Sequence, residues 1–151
     1  MQTLSIQNRQ RTVRFDLRWL RRISLLALEK CREESADGKF ALKALEEVDV
    51  AIVSDRVIAR VHMDFMAVPG ATDVITFEHG EIVISAETAR ENAAHYGHAI
   101  EQELALYTVH GLLHLNGFED STSRDFKRMH QVQDRILREC IDQLPVPEGA
   151  R

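Results

Sequence analysis

Cysteine and proline are scarce in this chain, with two cysteines and three prolines in 151 residues. Cys31 and Cys140 are far apart and form no CxxC pair. That argues against a disulfide scaffold and a CxxC-type redox or zinc motif, and predicts two reduced, partly buried thiols. Seven glycines are too few for a collagen-like chain. No apolar run approaches the roughly 18 residues a membrane span needs; the best stretch is residues 23–28. No apolar signal core stands at the N-terminus, since residues 7–14 are polar and basic, and a cytoplasmic location is expected. An excess of positive charge is also missing. The net charge of −5 argues against bulk attraction to nucleic acid.

The charge is unevenly spread. Residues 1–30 hold seven basic side chains and two acids, so the acidic balance lies in the remainder. Arg14, Arg18, Arg21 and Arg22 make either a solvated helix face or a local basic surface for phosphates. Hydrophobic residues at 44% and charged residues at 28% are ordinary for a globular domain. A chain of this length buries roughly 68–70% of its unfolded surface and needs no staples.

Strand patterns occur at residues 3–7, 46–53, 73–77 and 81–85, with the last two at hairpin-like spacing. Asp16, Ser54, Ser85 and Thr122 stand as N-caps before helical patterns at 17–33, 55–65, 86–95 and the C-terminal helix ending near 141. A further helix is predicted over 100–115, stopped by Asn116-Gly117. The expectation is an α+β fold: one domain at 1–144, with a small mixed sheet of about four strands packed with about five helices. Residues 145–151, with two prolines and a glycine, are expected to form a disordered tail.

Of seven histidines, only His110 and His114 have a demanding spacing. Four residues apart on a helix, they share a face, with Cβ atoms about 5–6 Å apart. Two such imidazoles can reach one tetrahedral ion at about 2.0–2.1 Å. A chain reversal after Gly117 can return Glu119 or Asp120 toward the same ion, leaving an open position as in catalytic sites. Gly111, inside the helix, suggests close approach of a ligand or another backbone. A zinc protease of the HExxH type would carry its glutamate there, so that general base is missing.

The stretch HGLLHLNGFED at 110–120 resembles HGxLHLxGYDH, the signature of the bacterial YbeY-type endoribonucleases, or rRNA maturation factors. ATDVITF at 71–77 is similar to that family's PTDVLSF, and GEIVIS at 80–85 to its GDIxIS. Glu103-Leu104 match a Glu-Leu pair before the signature, and the matches span about residues 46–120 in the family's order. The resemblance implies a cytoplasmic, metal-dependent nuclease of single-stranded RNA, with one divalent metal, usually zinc. The implied partners are rRNA and the small ribosomal subunit, in rRNA maturation and ribosome quality control. No membrane partner and no small-molecule cofactor is implied.

Two of the family's ligands carry over to His110 and His114. The third position is Asp120 rather than histidine, with Glu119 as the alternative ligand and an N-cap of the last helix as the other role for Asp120. Met66 occupies the place of an arginine six residues before the Thr of the TDV motif. His62, one turn earlier, is a further candidate for the site, and Arg56 and Arg60 are the nearest cations. Asp73 either orients a ligand histidine or fixes its own turn. No catalytic acid or base is assigned by the residues. Two other readings remain: a non-catalytic ribosome-assembly factor, and a hydrolase of another class.

Overall fold

The computed structural model describes residues 1–148. The elements follow in the order β1 (Thr3–Asn8), α1 (Leu17–Arg32), β2 (Glu47–Val53), α2 (Asp55–Met66), β3 (Val74–Phe77), β4 (Glu81–Ser85), α3 (Ala86–Tyr96), α4 (Ile100–Leu115) and α5 (Ser123–Gln143). A 3-10 turn at Ala41–Ala44, unanticipated from the sequence, precedes β2. Among the described residues this makes the expected α+β domain of four strands and five α-helices.

The four N-caps arise where a short oxygen-bearing side chain precedes an apolar period. Asp16, Ser54, Ser85 and Thr122 accept from the backbone N–H of Trp19, Val57, Thr88 and Asp125. The strands lie in the order β1-β2-β4-β3. β2 pairs in parallel with both β1 and β4, while β3 and β4 form the antiparallel hairpin. Two-residue alternation sorts the side chains to the two faces. Val48, Val50, Ile52, Ile82 and Ile84 join the main core with α1, α4 and α5; Ala51, Val53, Ile75 and Val83 form a smaller cluster with Ile58 of α2.

Helix α4 runs through the middle, touching α1, α3, α5 and the β3–β4 hairpin. Gly111 explains how closely it sits on the sheet: a Cβ there would lie 2.8–3.0 Å from three side-chain atoms of Ile82. The close neighbour is thus a β4 side chain, rather than a ligand or another backbone. Asn116, read from sequence only as a helix stop, is fully buried. Its side chain accepts from the Leu42 N–H at 3.0 Å and donates to the Cys31 and Glu34 carbonyls at 2.8 and 2.7 Å. One amide therefore fastens the end of α4 to the end of α1 and to the 3-10 turn.

Both cysteines are free and buried, and desolvation raises the Cys140 thiol to about 11. Residues 145–148 have no regular structure, and Val146 packs partly buried against the core. The remainder of the expected tail, 149–151, lies outside the described residues.

Candidate metal centre

The C-terminal end of α4 sets the site. Gly117 adopts φ +101°; its N–H donates to the His114 carbonyl, and the Phe118 N–H donates to the Leu113 carbonyl, each at 3.0 Å. This is a Schellman closure, with Phe118 as the apolar residue that follows the glycine and sinks into the core. The chain is thereby turned back across the helix end, and Asp120 meets the two histidines.

His110 and His114 project from one side of α4, each partly exposed. Their Nε2 atoms are 3.1 Å apart. The Asp120 Oδ2 lies 3.7 Å from the first and 3.5 Å from the second. Ligand atoms from all three residues lie within 4.8 Å of one another. A tetrahedral ion with bonds of about 2.0–2.1 Å would separate its ligands by roughly 3.3–3.4 Å, so the triangle has the size of one face of such a site.

The outer ring nitrogens decide the chemistry. The His114 Nδ1–H donates to the Phe118 carbonyl at 2.9 Å, and the His110 Nδ1–H donates to the Gln133 Oε1 at 2.7 Å. Both partners are acceptors, so the Nδ1 atoms carry protons, and each imidazole in its neutral form presents its Nε2 lone pair to the triad. Burial lowers the pKa of His110 below the usual imidazole value, while the Gln133 hydrogen bond partly opposes it. Two lone pairs and a carboxylate facing one point repel one another unless a cation sits among them. The donor set of two imidazoles and one carboxylate therefore fits a divalent metal.

The triad stands beside an open cleft of about 660 Å³. His110, His114, His62, Met66 and Glu119 all line it. His62 is tied through Nδ1 to the Gly70 carbonyl at 3.0 Å and stands on the wall outside the triad. Glu119 is exposed and also outside the triad. Met66 is 46% exposed and faces the cleft, whereas Arg56 and Arg60 do not line it. Asp73 uses its carboxylate locally, accepting from the Val74 N–H at 2.7 Å and the Thr72 hydroxyl at 3.3 Å. It borders a neighbouring cavity of about 560 Å³, which His110 and Gln133 share. The arginines of α1 line neither cavity.

The profile of the family described as Endoribonuclease YbeY matches residues 5–141. This chain belongs to the YbeY family. A relative named Endoribonuclease YbeY from Mycobacterium ulcerans (strain Agy99) is 33% identical over 123 residues, covering 69% of each protein. Another of that name from Myxococcus xanthus (strain DK1622) is 36% identical over 121 residues, covering 70% of this chain and 41% of that protein. The solution structure of TM1509 from Thermotoga maritima superimposes with a TM-score of 0.63 at 24% identity, over 93% of this chain and 91% of that one. That last likeness speaks to the fold alone.

Within this YbeY-family chain, the residue that the sequence reading missed is Gln133. It is a buried amide on the core face of α5, among Met129, Ile136, Leu137 and Cys140. A polar residue interrupting an apolar stripe was the available signal. Glu103, of the Glu-Leu pair, is also buried and is bound by His98 Nε2 at 2.5 Å. It fixes the start of α4 instead of entering the triad.

Proposed function

We propose that this chain is a metal-dependent endoribonuclease cutting single-stranded RNA in rRNA maturation and ribosome quality control. The observation that carries the proposal is the convergence of the His110 and His114 Nε2 atoms and the Asp120 carboxylate beside an open cleft, in a chain of the YbeY family. The catalytic unit is residues 1–144, acting in the cytoplasm on RNA of the small ribosomal subunit. The ligands are His110, His114 and Asp120, and the ion is zinc.

A bound divalent ion would supply Lewis-acid stabilisation at the phosphoryl group and activate the attacking oxygen. The protein's part is to hold and orient. Gln133 and the Phe118 carbonyl fix the tautomer and direction of the two imidazoles. Asp120, in place of a third imidazole, makes the donor set harder and anionic, so Mn²⁺ competes better here than at three histidines. His62 and Met66 line the same cleft as His110 and His114.

A peptidase reading has less support. The position where an HExxH enzyme carries its glutamate is Gly111, which faces Ile82 in the core. The non-catalytic assembly-factor reading keeps one specific observation in its favour: the cleft wall carries Met66 where the family resemblance implies arginine.

The deciding experiment is single-turnover cleavage of a single-stranded RNA by metal-stripped and zinc-reloaded protein, alongside His114→Ala. The proposal expects cleavage only after reloading, and none with His114→Ala. Equal cleavage by the variant overturns it. An assembly defect in His114→Ala cells, with no cleavage by wild type, would select the non-catalytic reading. Detection of a 2′,3′-cyclic phosphate end would identify the RNA 2′-OH, rather than water, as the nucleophile.

A further inference from the structure

The cleft is short of positive charge. Glu78 and Glu119 stand on its walls, and Asp120 offsets part of any ion's charge. Each nucleotide of RNA adds a further negative phosphate. Among the described residues lining the cleft, Lys39 is the one lysine or arginine.

Lys39 is held there by three separate devices. The first is the turn at residues 36–39, closed by the Lys39 N–H donating to the Ala36 carbonyl at 3.2 Å. Asp37 at φ +58° and Gly38 at φ +78° are both left-handed, the pattern of a tight primed turn. The second device anchors the turn's tip. Arg128 of α5 binds Asp37 through two hydrogen bonds of 3.0 and 3.3 Å and lies 5.9 Å over the Phe118 ring. The third is the floor beneath the Lys39 stem. A Cβ on Gly117 would lie 3.0 Å from the Lys39 Cβ and 3.1 Å from its Cδ, so the missing side chain at 117 makes room for that stem. Gly117 follows the helix that carries His110 and His114 and leads toward Asp120.

The cation itself is left available. Arg128 is engaged by Asp37 and Asp125, whereas Lys39 has no carboxylate within salt-bridge distance among the described residues. A lysine whose stem is braced and whose ammonium is unpaired, on a cleft that His110 and His114 also line, has the character of an anion subsite.

We propose that Lys39 is a phosphate-binding residue, holding a phosphodiester of the RNA backbone at the cleft. The proposal rests on the nuclease reading above. A point-charge contact to phosphate carries no base information, so its loss weakens binding equally across sequences.

The test uses the zinc-loaded full chain as wild type, Lys39→Met and Lys39→Arg. Lys39→Met keeps an unbranched stem over Gly117 while removing the charge. Affinity for 2′-O-methyl oligonucleotides of U, A and C is measured over a range of salt, and single-turnover cleavage is measured on unmodified RNA. Lys39→Met is expected to lose affinity by the same factor on all three sequences. Its log–log salt slope should be shallower by about 0.7. Lys39→Arg should retain the wild-type slope, and zinc content and thermal melting should be equal in all three. An unchanged slope in Lys39→Met, with a wild type that binds and cleaves, overturns the subsite and leaves the nuclease reading standing. A sequence-dependent loss, or a slope not restored by Lys39→Arg, also overturns it. A wild type that neither binds nor cleaves RNA overturns the nuclease reading and this subsite together.

Discussion

Replacing Gln133 with methionine should weaken metal binding although Gln133 touches no metal. Gln133 is buried on α5, and its Oε1 accepts from the His110 Nδ1–H at 2.7 Å, while its amide nitrogen leans on Asp134 at 3.4 Å. Methionine fills similar space without an acceptor. The Nδ1–H is then buried without a partner, which costs about 1–3 kcal/mol. His110 can avoid that cost by moving its proton to Nε2, but the lone pair then leaves the triad. Either route weakens the site, by about 10–100-fold in affinity, or roughly 1.4–2.7 kcal/mol. Competition against a fluorescent zinc chelator measures the affinity directly. Long-range ¹⁵N spectra of the metal-free protein report the tautomer: Nδ1–H in wild type, mixed in Gln133→Met. A folded Gln133→Met that binds zinc as tightly as wild type would refute the assignment of Gln133 as the group orienting His110.

Three further outcomes are expected. Asn116→Ala should lower stability by about 3–5 kcal/mol in chemical denaturation, because the Leu42 N–H and the Cys31 and Glu34 carbonyls lose their buried partner together; a loss under about 1 kcal/mol would contradict the fastening role. Gly111→Ala should destabilise despite alanine's helix propensity advantage of about 1 kcal/mol, since overpacking against Ile82 costs about 1–3 kcal/mol. In an Ile82→Ala background the sign should reverse, and a double-mutant cycle without coupling would show that the contact is not the cause. Met66→Arg, on the cleft wall, should raise single-turnover RNA cleavage by up to about 10²-fold with unchanged metal content; equal rates would mean that position 66 does not meet the scissile phosphate.

Much of this architecture was legible because its causes are local. The N-caps at Asp16, Ser54, Ser85 and Thr122 are read from one residue and the apolar period behind it. The spacing of His110 and His114 needed only the helical repeat, and the Asn116-Gly117 stop pointed to a chain reversal that the Schellman closure supplies. What escaped depends on partners distant in sequence. Gln133 reaches His110 across 23 positions, and Asn116 reaches the end of α1 across more than 80. Gly111 carried a real signal of close approach, but nothing in the sequence identified the neighbour as Ile82 of β4. Lys39 carried no signal of its own in the sequence, because its bearing on the cleft comes from Gly117 beneath it and from Arg128 holding the turn. The hairpin spacing of β3 and β4 was legible, whereas the parallel union of β4 with β2 arises from the sheet as a whole.

The metal content of protein purified without added metal tests the central claim most directly, measured by mass spectrometry for wild type, His110→Ala, His114→Ala and Asp120→Asn. Converging Nε2 lone pairs and the Asp120 carboxylate predict about one divalent ion per wild-type chain, almost none in either histidine variant, and a reduced share in Asp120→Asn. Full occupancy in both histidine variants would contradict the account.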